Sequence, residues 1–77
     1  MSKYLGWKNY ETWNVAMWIC NEPFFYATAK EFKRMGMGYR AFAKLLHLLD
    51  VNTTPDGISL QSTKLSIREL NRLIKDL

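Results

Sequence analysis

A chain of 77 residues forms one domain, and at that size folding buries only about 60% of the unfolded surface. Four Phe, four Tyr and three Trp supply large buried areas that help such a small core. A single cysteine, Cys20, excludes an internal disulfide and a cysteine metal cluster, and the formal charge of +4 leaves room for an acidic or nucleic-acid partner.

Residues Met1 to Lys8 read as an arm bearing Tyr4, Leu5 and Trp7, interrupted by Gly6. Its aromatic content predicts docking on the domain. The arm holds no apolar core of signal-peptide length, and Val15 to Cys20 is far short of the roughly 20 residues of a bilayer span. The lone cysteine fits a reducing compartment. These features predict a soluble, cytoplasmic protein with no membrane partner.

The first helix starts near Asn9 or Thr12, both good caps. Wound at about 100° per residue, it gathers Trp13, Ala16, Met17 and Cys20, with Val15 and Ile19 beside them. The other stripe holds Tyr10, Glu11, Asn14, Trp18 and Asn21. A surface of amides and aromatics has two readings. Asn14 bonds a loop backbone, that of the Trp7 arm or of the Pro55-Asp56-Gly57 connection. Alternatively Tyr10, Asn14, Trp18 and Asn21 form an exposed protein-contact patch, since Trp and Tyr dominate binding hot spots. Such a patch also suits a symmetric homodimer.

Asn21-Glu22-Pro23 ends this helix and opens the next, with Asn21 as cap and Pro23 in the first turn. Helix two spans about Pro23 to Met35, with Phe24, Phe25, Thr28, Phe32 and Met35 facing inward. Gly36-Met37-Gly38 breaks it. Helix three spans about Tyr39 to Asp50 over a stripe of Phe42, Leu45, Leu46 and Leu49. The short link predicts an antiparallel pair.

Between Lys30 and His47, Lys30, Lys33, Arg34, Arg40 and Lys44 stand against one acid, Glu31. Arg40, Lys44 and His47 share the outer side of helix three. With Tyr26 as a stacking ring, this basic face is a candidate nucleic-acid or acidic-partner surface. A solvated surface without a partner is the plainer reading.

Val51 to Lys64 is a connection built on the Thr54-Pro55-Asp56-Gly57 turn. After it Ile58 and Leu60 alternate with Ser59 and Gln61 as a short extended segment laid over the bundle, or else as a single edge strand, which without a partner makes no sheet. Ser66-Ile67-Arg68-Glu69 fits a capping box, with Leu65 and Leu70 as its staple, and Ile67, Leu70, Leu73, Ile74 and Leu77 line the last helix. The fold expected is therefore all-α: a single domain over 1–77, a compact bundle of about four helices with an aromatic arm and one long Pro/Gly-containing connection before the last helix.

No catalytic constellation is legible. His47 has only Asp50 nearby at helical spacing, and no nucleophile accompanies it. Cys20, on the apolar face, is expected to be a buried, inert thiol. No ligand set for a metal and no phosphate-cradling glycine motif is present, so neither enzyme activity nor a cofactor is expected.

The run Asn9-Tyr10-Glu11-Thr12-Trp13-Asn14-Val15-Ala16-Met17-Trp18-Ile19, followed by Asn21-Glu22, resembles a small uncharacterised domain family found mostly in bacteriophage genomes and some bacteria. That family's signature reads N-Y-E-T-W-N-V-A-L-W-I-x-N-D/E, with Met17 here in the leucine position. Thr54-Pro55-Asp56-Gly57-Ile58 resembles its T-P-D-G-V turn, and the last helix matches in position. Family members tend to be acidic near the C-terminus. Here Ser66 to Arg72 is basic or neutral, so any charge-read partner belongs to this member. The resemblance carries no activity. It implies a phage or prophage setting, in which small proteins bind host machinery or neutralise host defence. The function expected is a non-catalytic protein that contacts a host protein, with nucleic-acid binding through the basic face as the alternative.

Overall fold

The computed structural model describes residues 4–77, so Met1 to Lys3 of the predicted arm lie outside the described residues. Four helices follow in order: α1 (Tyr10–Asn21), α2 (Pro23–Arg34), α3 (Tyr39–Leu48) and α4 (Ile67–Lys75). The all-α bundle read from the sequence is what the chain forms.

Local chemistry sets each boundary. Asn9 keeps an extended backbone and accepts the Thr12 N–H at 2.9 Å, which starts α1. At α2 the cap is Glu22, whose carboxylate accepts the Phe25 N–H at 2.9 Å. Asn21, the expected cap, instead donates to the Met17 carbonyl at 2.7 Å. Helix α2 ends at Arg34 because Gly36 takes φ +76°. Met37 N–H then reaches back to the Phe32 carbonyl at 2.8 Å, the bond that closes a left-handed helix end. Helix α3 ends the same way, two residues before the expected Asp50. Asp50 itself takes φ +64°, and Val51 N–H bonds the Leu46 carbonyl at 2.8 Å. Asp tolerates that region better than most residues.

The start of α3 has no local cap, since Gly38 offers no side chain. Asn71 of α4 supplies one across the bundle, accepting the Tyr39 N–H at 2.7 Å. A Cβ at position 38 would stand 2.5 Å from that Asn71 oxygen, so the glycine makes the approach possible.

The core gathers Val15 and Ile19 of α1, Phe25, Ala29 and Phe32 of α2, and Tyr39, Phe42 and Leu46 of α3. Leu70 and Ile74 of α4 close it, with Leu60 and Leu65 of the connection. Phe25 and Phe42 meet edge to face at 6.0 Å. The inward face of α1 is turned from the expected one. Thr12, Asn14, Val15, Ala16 and Ile19 are buried, Trp13 and Met17 are half-buried, and Cys20 is exposed. Helix wheels count apolar residues, whereas here the long connection covers the Asn14 and Trp18 side and draws it inward. Phe24, Met35, Leu48 and Leu49, also expected inside or beside the core, lie exposed because only their helix neighbours reach it.

The arm docks as a tight turn. Tyr4 and Trp7 exchange both backbone bonds at 2.8 Å, with Leu5 at φ +49° and Gly6 at φ +90° between them. The Tyr4 ring meets Trp13 at 5.1 Å and Tyr10 at 5.3 Å. A left-handed leucine costs about 1–2 kcal/mol relative to ordinary backbone.

Candidate functional site

The amide stripe of α1 is spent on the connection. Asn14 is fully buried. Its oxygen accepts the Thr54 hydroxyl at 2.8 Å, and its nitrogen donates to the Asp56 carboxylate at 2.8 Å and to the Tyr10 hydroxyl at 3.2 Å. Trp18 Nε1 donates to the same Asp56 oxygen at 2.8 Å. These two bonds, Trp18 first, hold the Asp56 carboxyl below its ordinary value of 3.8. Thr54 also accepts the Ile58 N–H at 3.2 Å, so the turn is fastened inside and out.

One turn earlier the pattern repeats. Asn9 Nδ2 donates to the Lys64 carbonyl at 2.7 Å, and Thr12 Oγ1 accepts the Ser66 N–H at 3.0 Å. The expected capping box at Ser66 is therefore half formed. Ser66 accepts the Glu69 N–H at 3.3 Å, but Glu69 turns to the Lys8 N–H at 2.8 Å. Among the described residues every buried side-chain nitrogen and oxygen has a partner.

The stripe expected as a contact patch is thus corrected. Asn14 is core, Trp18 is half-buried against Asp56, and Asn21 bonds its own helix. Only Tyr10 and Asn21 are exposed. A buried amide must find partners, and the connection provides them through Thr54 and Asp56. The sequence reading placed the turn correctly and expected its backbone, not these side chains, to bond Asn14.

The basic residues divide by helix. On α2 each cation has a neighbour: Lys30 sits 5.4 Å from the centre of the Tyr26 ring, Lys33 bonds the Leu77 carbonyl, and Arg34 pairs with Glu31. On α3, His47 shares a 2.6 Å bond with Asn52, not with Asp50. Arg40 and Lys44 are exposed and form no ion pair among the described residues.

Arg40 and Lys44 flank a groove of about 570 Å³ between α3 and residues 60–67. Its floor is apolar: Ala43 and Tyr39 on one side, Leu60, Leu65 and Ile67 on the other. Gln61, Ser62 and Thr63 line it as well. Tyr39 anchors the two walls, its hydroxyl donating to the Leu60 carbonyl at 2.6 Å, and burial pushes that phenol far above its usual range. It stays neutral. Two cations beside an aliphatic floor attract a ligand that carries negative charge next to an apolar group. The sequence reading laid the segment after the turn over the bundle, but it did not foresee that residues 60–67 and α3 leave a groove between them. The alternation of Ile58 and Leu60 with Ser59 and Gln61 carried that reading, and Leu60 is buried.

Among the described residues no cluster of His, Cys, Asp or Glu is arranged to hold a metal ion. No helix among them is long and apolar enough to cross a membrane. No curated protein and no solved structure matches the chain. A family model does match, over residues 1–77, and the chain belongs to that family of unknown function, DUF7249.

Proposed function

We propose that this chain is a small non-catalytic binding protein, and that the α3 groove is where it takes hold of an acidic segment of a protein partner. The observation that carries this reading is the contrast in pairing. Arg40 and Lys44 face an apolar-floored groove with no paired acid among the described residues, whereas the cations of α2 are engaged within the fold. Guanidinium and ammonium groups at the edge of an apolar surface suit a carboxylate-bearing peptide whose neighbouring side chain covers Leu60, Leu65 and Ile67.

The setting comes from the likeness of the Asn9-to-Glu22 motif to phage-borne domains. It supports a role inside the host cytoplasm, modulating a host protein, with neutralisation of a host defence as one form. Nucleic-acid binding by Arg40 and Lys44, helped by Lys30, Lys33, Arg34 and Tyr26, is the second reading, and the shared positive field favours it.

The test is capture from host lysate by tagged wild type and by the double variant R40E/K44E, with and without nuclease. A specific protein held by the wild type, resistant to nuclease and lost from the double variant, supports the first reading. Loss on nuclease treatment, with affinity for purified DNA or RNA that falls steeply with salt, supports the second. Equal capture by both proteins removes the groove from the account.

A further inference from the structure

The walls of the α3 groove restrict the backbone that a bound segment can have. An extended segment needs main-chain partners, which an exposed sheet edge would supply. The connection supplies almost none. The N–H groups of Leu60, Ser62 and Leu65 bond the carbonyls of Asn52, Ser59 and Ser62. Those of Gln61 and Lys64 bond the Ser59 and Ser62 hydroxyls, and that of Ser66 bonds Thr12. From Leu60 to Ser66 only the Thr63 N–H has no bond among the described residues. The opposite wall is α3, whose backbone past its first turn is spent on its own helix.

An extended segment laid here turns its backbone groups toward walls with no partners for them. A polyproline segment fares no better. It docks between exposed aromatic rings, and Tyr39, the groove's one ring, is 1% exposed with its hydroxyl bonded to Leu60. A helix bonds its own backbone and presents side chains alone. The side chains of the groove suit one. Arg40 and Lys44 stand four residues apart on α3, which sets them about 6 Å apart along its axis. Carboxylates four residues apart on a helix lying alongside α3 have the same rise. Ile67, only half-buried, is where the apolar floor reaches the surface.

Resting on the acidic-segment reading of the groove, we propose that the partner segment is an amphipathic helix lying along α3. Carboxylates one turn apart meet Arg40 and Lys44, and an adjoining aliphatic stripe covers Ile67. The charges fix the register of the helix, and the stripe excludes water beside them.

Two synthetic peptides of about 16 residues test this. They share one composition, glutamates and leucines in a serine and glutamine background. One spaces the glutamates four residues apart with the leucines on the adjoining helical stripe. The other spaces both two residues apart, on one face of an extended chain. Titration calorimetry with the full chain measures each affinity, and far-UV circular dichroism measures helix gained on mixing. The helical pattern binds about tenfold tighter or better, gains helix when bound, and loses its affinity for R40E/K44E. Equal or tighter binding of the alternating peptide through the same two cations overturns the helix and leaves the acidic-segment reading standing. No binding of either peptide overturns both. A helical peptide that binds R40E/K44E as well as wild type puts its site outside the groove and overturns the proposal too.

Discussion

Helices α1 and α3 each carry a polar side, and the two sides are used in opposite ways. On α1 the polar groups face inward and sideways: Asn9, Thr12, Asn14 and Trp18 reach residues 54, 56, 64 and 66. On α3 Arg40 and Lys44 form no ion pair among the described residues and border an open groove. The side chains that make up the most distinctive motif in the sequence therefore fasten a long connection in place. The plainest-looking charges are the ones without an ion pair among the described residues. Motif strength marks what the fold needs as readily as what it binds.

Four variants separate the two roles. The largest effect is expected for N14A. It leaves the buried Thr54 hydroxyl without its acceptor and opens a cavity in the core. Stability in urea unfolding falls by about 3 kcal/mol. A loss near zero would break the contrast by returning Asn14 to the surface.

G38A comes next. Its new Cβ pushes Asn71 away from the Tyr39 N–H and uncaps α3, the helix that carries the groove wall. The expected cost is about 1 kcal/mol in the same measurement.

W18F removes one of the two bonds that depress the Asp56 pKa. A carboxyl whose folded pKa is lowered stabilises the fold above its unfolded value, ordinarily 3.8, and that stabilisation is lost as pH falls through the folded value. Wild-type stability therefore declines on acidification below that ordinary value, and W18F shows a shallower decline. Paired thermal melts over an acid series check it.

The smallest stability effect belongs to R40E/K44E. Both side chains are exposed and free of ion pairs among the described residues, so the double variant stays within about 0.5 kcal/mol of wild type in urea unfolding. Its binding is lost all the same. A marked destabilisation would show that these cations serve the fold after all.

The helices themselves were legible because their signals are local. Asn9, Pro23, Gly36 and Ser66 each act within one turn of chain, and three of the four helix starts carry a side-chain cap. The inward face of α1 was not legible. Whether Asn14 is inside depends on Thr54 and Asp56, some forty residues away, and apolar periodicity carries no record of them. The groove was half legible. The charge pattern isolated Arg40 and Lys44, yet the wall of Leu60, Leu65 and Ile67 exists only once the connection is fastened. The cap from Asn71 left its trace as Gly38, a glycine that reads as a helix break until the partner is known.

The central claim is that the α1 motif is a fastening for the connection. A double-mutant cycle between Asn14 and Thr54 tests it most directly, using N14A, T54V and the pair in urea unfolding. Both side chains are buried and their bond is 2.8 Å. The expected coupling is about 1–2 kcal/mol, so the double variant loses clearly less than the two single losses added together. Losses that simply add, with no coupling, would contradict the account.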